Sequence, residues 1–276
     1  MGTSNLYGGP KKTVLLPPDY NPEDNPLGVS HGGEQPTQEE PNVDIPNNMN
    51  SDNQLPSELP WKTVRRSMTN AVNHNTAKNV KGLIRNYAKA LGGHTNATRQ
   101  AKTARRTAVS LYSYFSGTPE LIRTRFEQVG VLFEGRPTKD ILNDICSILA
   151  PVPNDLEDSL ANRALNETIA DVALDENTDL TQLESFNEDL LQKMVGGFMK
   201  HYIYDKLIQQ SEQGALAKCN DLSKLSKLEK SIKRYIDGIV DGIVTDVVRS
   251  GMNQSEFNMA VDSLFDVVYQ QMEELK

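Results

Sequence analysis

The first residues of the chain include one group that can take part in chemistry, the α-amine of Gly2. The chain begins Met-Gly-Thr-Ser, and because glycine is small we expect the initiator Met1 to be removed. A free α-amine has a pKa near ~8 and is a nucleophile around neutral pH. Thr3 and Ser4 add small hydroxyls beside it. The functional interpretation is an end that is captured or modified, whereas composition alone favours an ordinary frayed terminus.

A second group of residues can bind anions. Residues 61–110 contain eleven Lys or Arg and no Asp or Glu. Phosphate binding by such a block is salt-dependent and tolerant of sequence. The alternative is docking on an acidic protein surface, either of the chain's own C-terminal part or of a partner. We favour docking, because the charges of the two parts nearly cancel. The candidate residues are Arg65, Arg66, Lys78, Lys81, Arg99, Lys102, Arg105 and Arg106.

Carboxylate pairs at helical spacing are the third candidate, because two acids on one helix face can support acid–base chemistry. The sequence places no histidine partner beside them, so solvated helix faces are the better interpretation. The pairs are Glu167 and Asp171, Asp237 and Asp241, and Asp262 and Asp266.

Other patterns of catalysis or metal binding are missing from the sequence. The four histidines have no metal-ligand spacing, and neither Cys146 nor Cys219 belongs to a CxxC pair. The sequence also lacks a phosphate-binding GxxxxGK[ST] loop and a GxSxG nucleophile motif. We therefore predict no catalytic residue, no metal and no cofactor. Gly238 and Gly242 form a GxxxG pattern, which predicts close helix packing.

Charge and proline content divide the chain into three parts. Residues 1–60 hold 10 of the 14 prolines and a net charge of −7. Such a segment buries too little apolar surface to offset its ordering entropy, so we predict a disordered tail. Its first twenty residues contain apolar anchors, which suit a short docking peptide. These include Tyr7, Leu15 and Leu16. Residues 61–110 carry net +11 and residues 111–276 net −12.

The remaining sequence predicts an all-α protein, since apolar residues recur with the helical period and no strand pattern is present. We predict a basic helical region at 61–117 and an acidic helical domain at 118–276. Either Asn75 or Thr76 suits the N-cap of one helix, and Thr118, which is followed by a proline, suits the N-cap of another. Thr138 is a third candidate. One helix is predicted from about Asn96 to Gly117, and a long helical stretch from Asn177 or Thr178 to Ile208. No apolar run approaches the ~18 residues of a membrane span, and no signal peptide is evident, so we expect a cytoplasmic protein.

Several segments together resemble one known family. The start MGTSNLYGGP with LLPPDY resembles the QatB proteins of bacterial Qat anti-phage defence systems. The similarity continues through WKTVRRSMTN, LIRNYAKALGGHTNATRQAKTARRTAVSLYSYF, ICSILAPVPNDLEDSLANRALNETIADV and VGGFMKHYIYDKLIQQSEQGALAK. It covers nearly the whole chain outside the proline-rich linker, and its specificity lies in the order and spacing of the segments.

The resemblance implies an operon with an ATPase, a QueC-like enzyme and a TatD-like nuclease. QueC-type enzymes use ATP to build the nitrile of a 7-deazaguanine. We therefore expect a non-enzymatic component that binds the QueC-like enzyme and presents Gly2 to it, for modification with a 7-deazaguanine. The alternative is a nucleic-acid-binding sensor or adaptor that acts through residues 61–110.

Overall fold

The computed structural model describes residues 58–175, 178–211, 221–248 and 252–276. Within these ranges the chain forms ten α-helices, one short 3-10 turn and no strand, which confirms the all-α prediction for this part of the chain. The helices are α1 (Glu58–Asn73), α2 (Ala77–Ala90), α3 (His94–Gln100), α4 (Lys102–Phe115), α5 (Pro119–Gln128), α6 (Thr138–Leu149), α7 (Leu156–Leu174), α8 (Glu188–Ser211), α9 (Leu222–Val247) and α10 (Gln254–Glu274). The predicted tail lies outside the described residues except for its last three positions.

The helix starts follow the sequence signals in most cases. The side chains of Thr76 and Thr118 accept hydrogen bonds from backbone N–H groups of the first turns of α2 and α5, as predicted. Asn253 and Glu256 form a reciprocal capping box at the start of α10. Thr138 is the exception. It is the first residue of α6, Pro137 holds the cap position, and the Thr138 hydroxyl instead accepts from the backbone N–H of Leu180 at 3.2 Å.

Helix α8 lies at the centre of the described part of the chain. It packs along α7 and α9 and also contacts α1, α2 and α4. Most of its length is buried, because large apolar side chains such as Phe198, Tyr202 and Leu207 point into the core. Two glycines, Gly196 and Gly197, bring neighbouring helices close. A Cβ on Gly197 would lie 3.0 Å from Thr168 of α7, and one on Gly196 would lie 3.5 Å from Val244 of α9.

Helix α10 connects the C-terminal part to the basic helices. It contacts α2, α3, α4 and α9. The Tyr112 and Phe257 rings stack with their centroids 3.6 Å apart, and the Tyr112 hydroxyl donates to the Met252 carbonyl at 2.6 Å. Helices on both sides of residue 117 therefore share one hydrophobic core. The division into two regions at that residue stays a prediction based on charge.

Three details of the helix prediction are wrong. The helix predicted from about Asn96 to Gly117 is broken at Ala101, although no glycine or proline marks the break, and α4 ends at Phe115. The long stretch predicted to begin near Thr178 contains a 3-10 turn at Leu183–Ser185 first, and α8 begins only at Glu188. The GxxxG glycines of α9 are not at a close contact, since a Cβ on Gly238 or Gly242 would meet no described atom within 4 Å.

Within the described ranges, no helix is both long enough and apolar enough to cross a membrane.

Candidate functional site

A cavity of about 630 Å³ lies between α7, α8 and α9. We call it the α8 groove. Its charged and polar lining comes from all three helices and consists of Ser159, Arg163, Glu167 and Asp171 on α7, His201, Tyr204, Asp205 and Gln209 on α8, and Glu229 and Lys233 on α9. Apolar side chains, among them Leu160 and Ile208, complete the wall.

His201 bridges the first of the predicted carboxylate pairs. Its Nδ1 lies 3.0 Å from Glu167 and its Nε2 lies 2.7 Å from Asp171. A neutral imidazole has one N–H, so both bonds form together only when both ring nitrogens are protonated. The expectation that no histidine partners these acids is therefore wrong for this pair, because the packing of α8 on α7 places His201 beside acids that lie at least thirty residues earlier in the chain. It is also wrong for Asp262 and Asp266, since His94 lies 2.8 Å from Asp266.

Asp205 is the most deeply buried charge of the groove, with 4 % of the residue exposed. Burial, followed by the nearby charge of Glu167, raises its pKa to about 6, while Arg163 acts in the opposite direction. The Arg163 Nε lies 3.2 Å from Asp205 Oδ2 but donates its hydrogen to Glu167 at 2.9 Å. Asp205 Oδ2 has no hydrogen-bond donor among the described residues.

Tyr204 of α8 and Lys233 of α9 also line the groove and contact each other. The Lys233 ammonium lies 4.7 Å from the centre of the Tyr204 ring and 3.2 Å from Glu229. Burial and the charge of Glu229 raise the pKa of Tyr204, so its phenol stays protonated at neutral pH. The groove thus combines ion pairs with one buried carboxylate, and this chemistry suits recognition of a polar or charged ligand. The described residues contain no group of three or more metal-ligand side chains placed to hold an ion.

The sequence contains a signal for this groove that the prediction missed. His201 and Asp205 are four residues apart in a helix that is otherwise mostly apolar, so both lie on one face. Tyr204 lies beside them. Polar residues repeated at this spacing on a buried helix indicate a cavity or a buried network, and the acids at the same spacing on α7 face them.

The predicted basic residues divide into two groups in the structure. Five are exposed and have no carboxylate partner within the described ranges: Arg66, Lys78, Arg99, Lys102 and Arg106. Arg65 is half-buried and likewise has no carboxylate partner there. Arg99, Lys102 and Arg106 flank the α3–α4 junction.

Other basic residues contact the chain's own C-terminal helices. The Arg105 guanidinium pairs with Asp262 of α10. The Lys81 ammonium lies 5.8 Å from the centre of the Tyr235 ring of α9. His94, which lies in the same block, is 2.8 Å from Asp266, and this hydrogen bond raises its pKa. Binding of nucleic acid or of an acidic partner by the basic residues stays a prediction.

The N-terminal candidates lie outside the described residues. They are Gly2, Thr3, Ser4, Tyr7, Leu15 and Leu16.

Comparison with protein families matches residues 92–272 to the family described as "Qat anti-phage system associated protein QatB". The match runs from the end of α2 almost to the end of α10, so it includes the whole α8 groove. The chain belongs to the QatB family. As a QatB protein it is a component of an anti-phage defence system. No curated protein and no solved structure matches the chain.

Proposed function

We propose that this QatB protein is a non-enzymatic, cytoplasmic component of its defence system that binds a QueC-like enzyme and presents Gly2 to it. The observation that carries the proposal is membership of the QatB family across residues 92–272. The Met-Gly-Thr-Ser start, which resembles the start of QatB proteins, supports Gly2 as the end that is presented.

The chemistry of the proposal is acylation of an amine. The QueC-like enzyme uses ATP to activate the carboxyl group of a carboxylated 7-deazaguanine. The Gly2 amine attacks the activated carboxyl carbon, loses a proton and expels the activating group, so that an amide bond forms. Glycine suits this role because it has no side chain to obstruct the approach to a pocket.

The two parts of the chain have separate roles in this proposal. The helical part holds the enzyme, and the linker between residues 21 and 60 keeps Gly2 at a high local concentration around it. Tyr7, Leu15 and Leu16 anchor the peptide near the active site, while Gly8 and Gly9 let it bend. The ATPase and the TatD-like nuclease of the same operon are further partners.

A nucleic-acid-binding sensor or adaptor is the second candidate. The observation that favours it is the exposure of Arg99, Lys102 and Arg106 without carboxylate partners in the described part of the chain. Such side chains are available to phosphates, and their contribution falls as salt increases.

Phage resistance of cells that carry the whole operon tests the main proposal. Gly2→Leu retains Met1 and blocks the amine, so we expect resistance to be lost while the helical fold is unchanged by circular dichroism. Gly2→Ser is the matched control, because serine is small enough for Met1 removal and leaves a free amine. A tag at the N-terminus is expected to abolish resistance and a tag at the C-terminus to be tolerated. Full resistance with Gly2→Leu contradicts the proposal.

A further inference from the structure

The Asp205 carboxylate in the α8 groove is only partly compensated by its neighbours. Its side chain is 3 % exposed, and Oδ2 has no hydrogen-bond donor within the described ranges. A buried carboxylate oxygen without a donor is costly, and the free energy of the carboxylate falls when a cation that also donates hydrogen bonds approaches. Arg163 does not meet this need, because it is largely exposed and its Nε–H is directed at Glu167.

The charges around Asp205 leave the groove short of positive charge. Its lining has four acids and two permanently basic residues, with His201 between two of the acids. Both basic residues already have carboxylate partners, Arg163 at Glu167 and Lys233 at Glu229. The field in the groove therefore favours a cation and disfavours an anion.

The apolar wall of the groove suits a ligand with a hydrocarbon stem. Leu160 and Ile208 line it, and Leu156, which is 51 % exposed, lies at its margin. Lysine and arginine place a charged head on such a stem and bury the stem along apolar surface. The cavity of about 630 Å³ is large enough for such a side chain with its neighbouring backbone.

We propose that the α8 groove is a docking site for a lysine or arginine side chain of a protein partner, with Asp205 as the carboxylate that receives the cationic head. Leu160 and Ile208 hold the stem, and Glu167 and Glu229 supply the surrounding negative potential. The proposal concerns a different part of the chain from Gly2, so it stands or fails independently of N-terminal modification.

Binding of a defined basic peptide to the full chain tests the site. The probe is a fluorescein-labelled Ala-Lys-Ala-Ala-Lys-Ala peptide with blocked ends, followed by fluorescence anisotropy at low salt. We expect saturable binding that is lost when both lysines are acetylated. Asp205→Asn is expected to weaken binding by about tenfold or more, since it removes a buried charge partner. This change keeps the shape of the side chain and relieves the cost of burying its charge, so unfolding does not explain the loss.

Asp246→Asn is the matched control, because it removes the same charge from an exposed position of α9. We expect it to change the affinity by less than about twofold. Equal weakening by the two substitutions would show that the peptide responds to net charge alone and would overturn the site. Unchanged binding of the acetylated peptide would overturn the cationic head as the recognised group. Tighter binding of spermidine than of the peptide would overturn a protein as the ligand.

Discussion

The Lys206 ammonium lies 2.7 Å from Glu157 Oε1 inside the core, where Lys206 has no exposed surface. It also donates to the Tyr202 hydroxyl at 3.0 Å, and that hydroxyl donates to the other Glu157 oxygen. Burial lowers the pKa of Lys206, and the charge of Glu157 opposes this shift. The three groups tie α7 to α8.

Glu157→Gln is expected to destabilise the protein strongly, because it leaves the buried Lys206 ammonium without its counter-charge. Loss of one partner of a buried pair costs about 3–5 kcal/mol, and we expect the lower end because Glu157 is partly exposed. Urea denaturation measures the free energy of unfolding. Glu127→Gln is the control, since its pair with Arg123 is on the surface and is worth about 0.5 kcal/mol or less. Similar losses for the two variants would contradict the role of the buried pair.

Asp205 makes stability depend on pH in a defined window. Its pKa is about 6 in the folded chain against 3.8 for the free side chain, so the folded state holds the proton more tightly. The protonated group therefore adds to the free energy of unfolding. This stabilisation is complete below about pH 4 and is lost as pH rises through 6. At pH 7 the charged side chain costs on the order of 2–3 kcal/mol.

Asp205→Asn is therefore expected to be more stable than the wild type at pH 7, with an advantage that shrinks between pH 6 and pH 4. The measurement is the free energy of unfolding in urea at several pH values. Glu167, Arg163, His201 and Lys233 also act on this carboxyl, so the difference from the wild type is the relevant quantity. Asp246→Asn should show no such window. A pH-independent difference for Asp205→Asn would contradict this account.

The adjacent glycines of α8 are expected to respond oppositely to alanine. Gly197→Ala places a methyl group 3.0 Å from the buried Thr168, and overpacking of this kind costs about 1–3 kcal/mol. Gly196→Ala places it at an ordinary 3.5 Å from Val244 and gains helix propensity of up to about 1 kcal/mol. Thermal unfolding of the two variants measures the difference. Equal effects would show that the packing of α7 on α8 is looser than described.

The sequence predicted much of the fold because helix signals are local. Thr76 and Thr118 act as caps where their residue types indicate. The break at Ala101 was not predictable in this way. Nothing in its residue type ends a helix, and the contacts of α3 with α10 come from a segment more than 150 residues away.

The α8 groove was not predicted because its parts come from three helices. The spacing of Glu167 and Asp171 showed that they share a face, but only the packing of α8 on α7 brings His201 between them.

Similarly, the GxxxG pattern predicted close packing at Gly238 and Gly242. The close approaches occur instead at Gly196 and Gly197, because the partner helix and not the pattern decides which glycine is needed.

The exposed basic residues are expected to control any nucleic-acid binding without supporting the fold. The triple variant Arg99→Glu, Lys102→Glu, Arg106→Glu should have nearly unchanged stability. It should no longer bind single-stranded or duplex DNA, so the salt-dependent signal of the wild type should disappear. Arg105→Glu is the contrasting variant. It places a carboxylate against Asp262 and is expected to lower stability. Anisotropy with labelled oligonucleotides measures binding. DNA that never binds the wild type at low salt would refute the nucleic-acid candidate, whereas loss of a protein complex in the triple variant would favour docking.

The mass of the N-terminal peptide tests the central claim most directly. The whole operon is expressed in phage-resistant cells, the QatB protein is purified, and its N-terminal peptide is compared with that from cells whose QueC-like enzyme is inactive. We predict loss of Met1 in both samples and an added mass of one 7-deazaguanine acyl group on Gly2 only with the active enzyme. An unmodified Gly2 in the assembled, phage-resistant system would contradict the account and leave this protein as a scaffold.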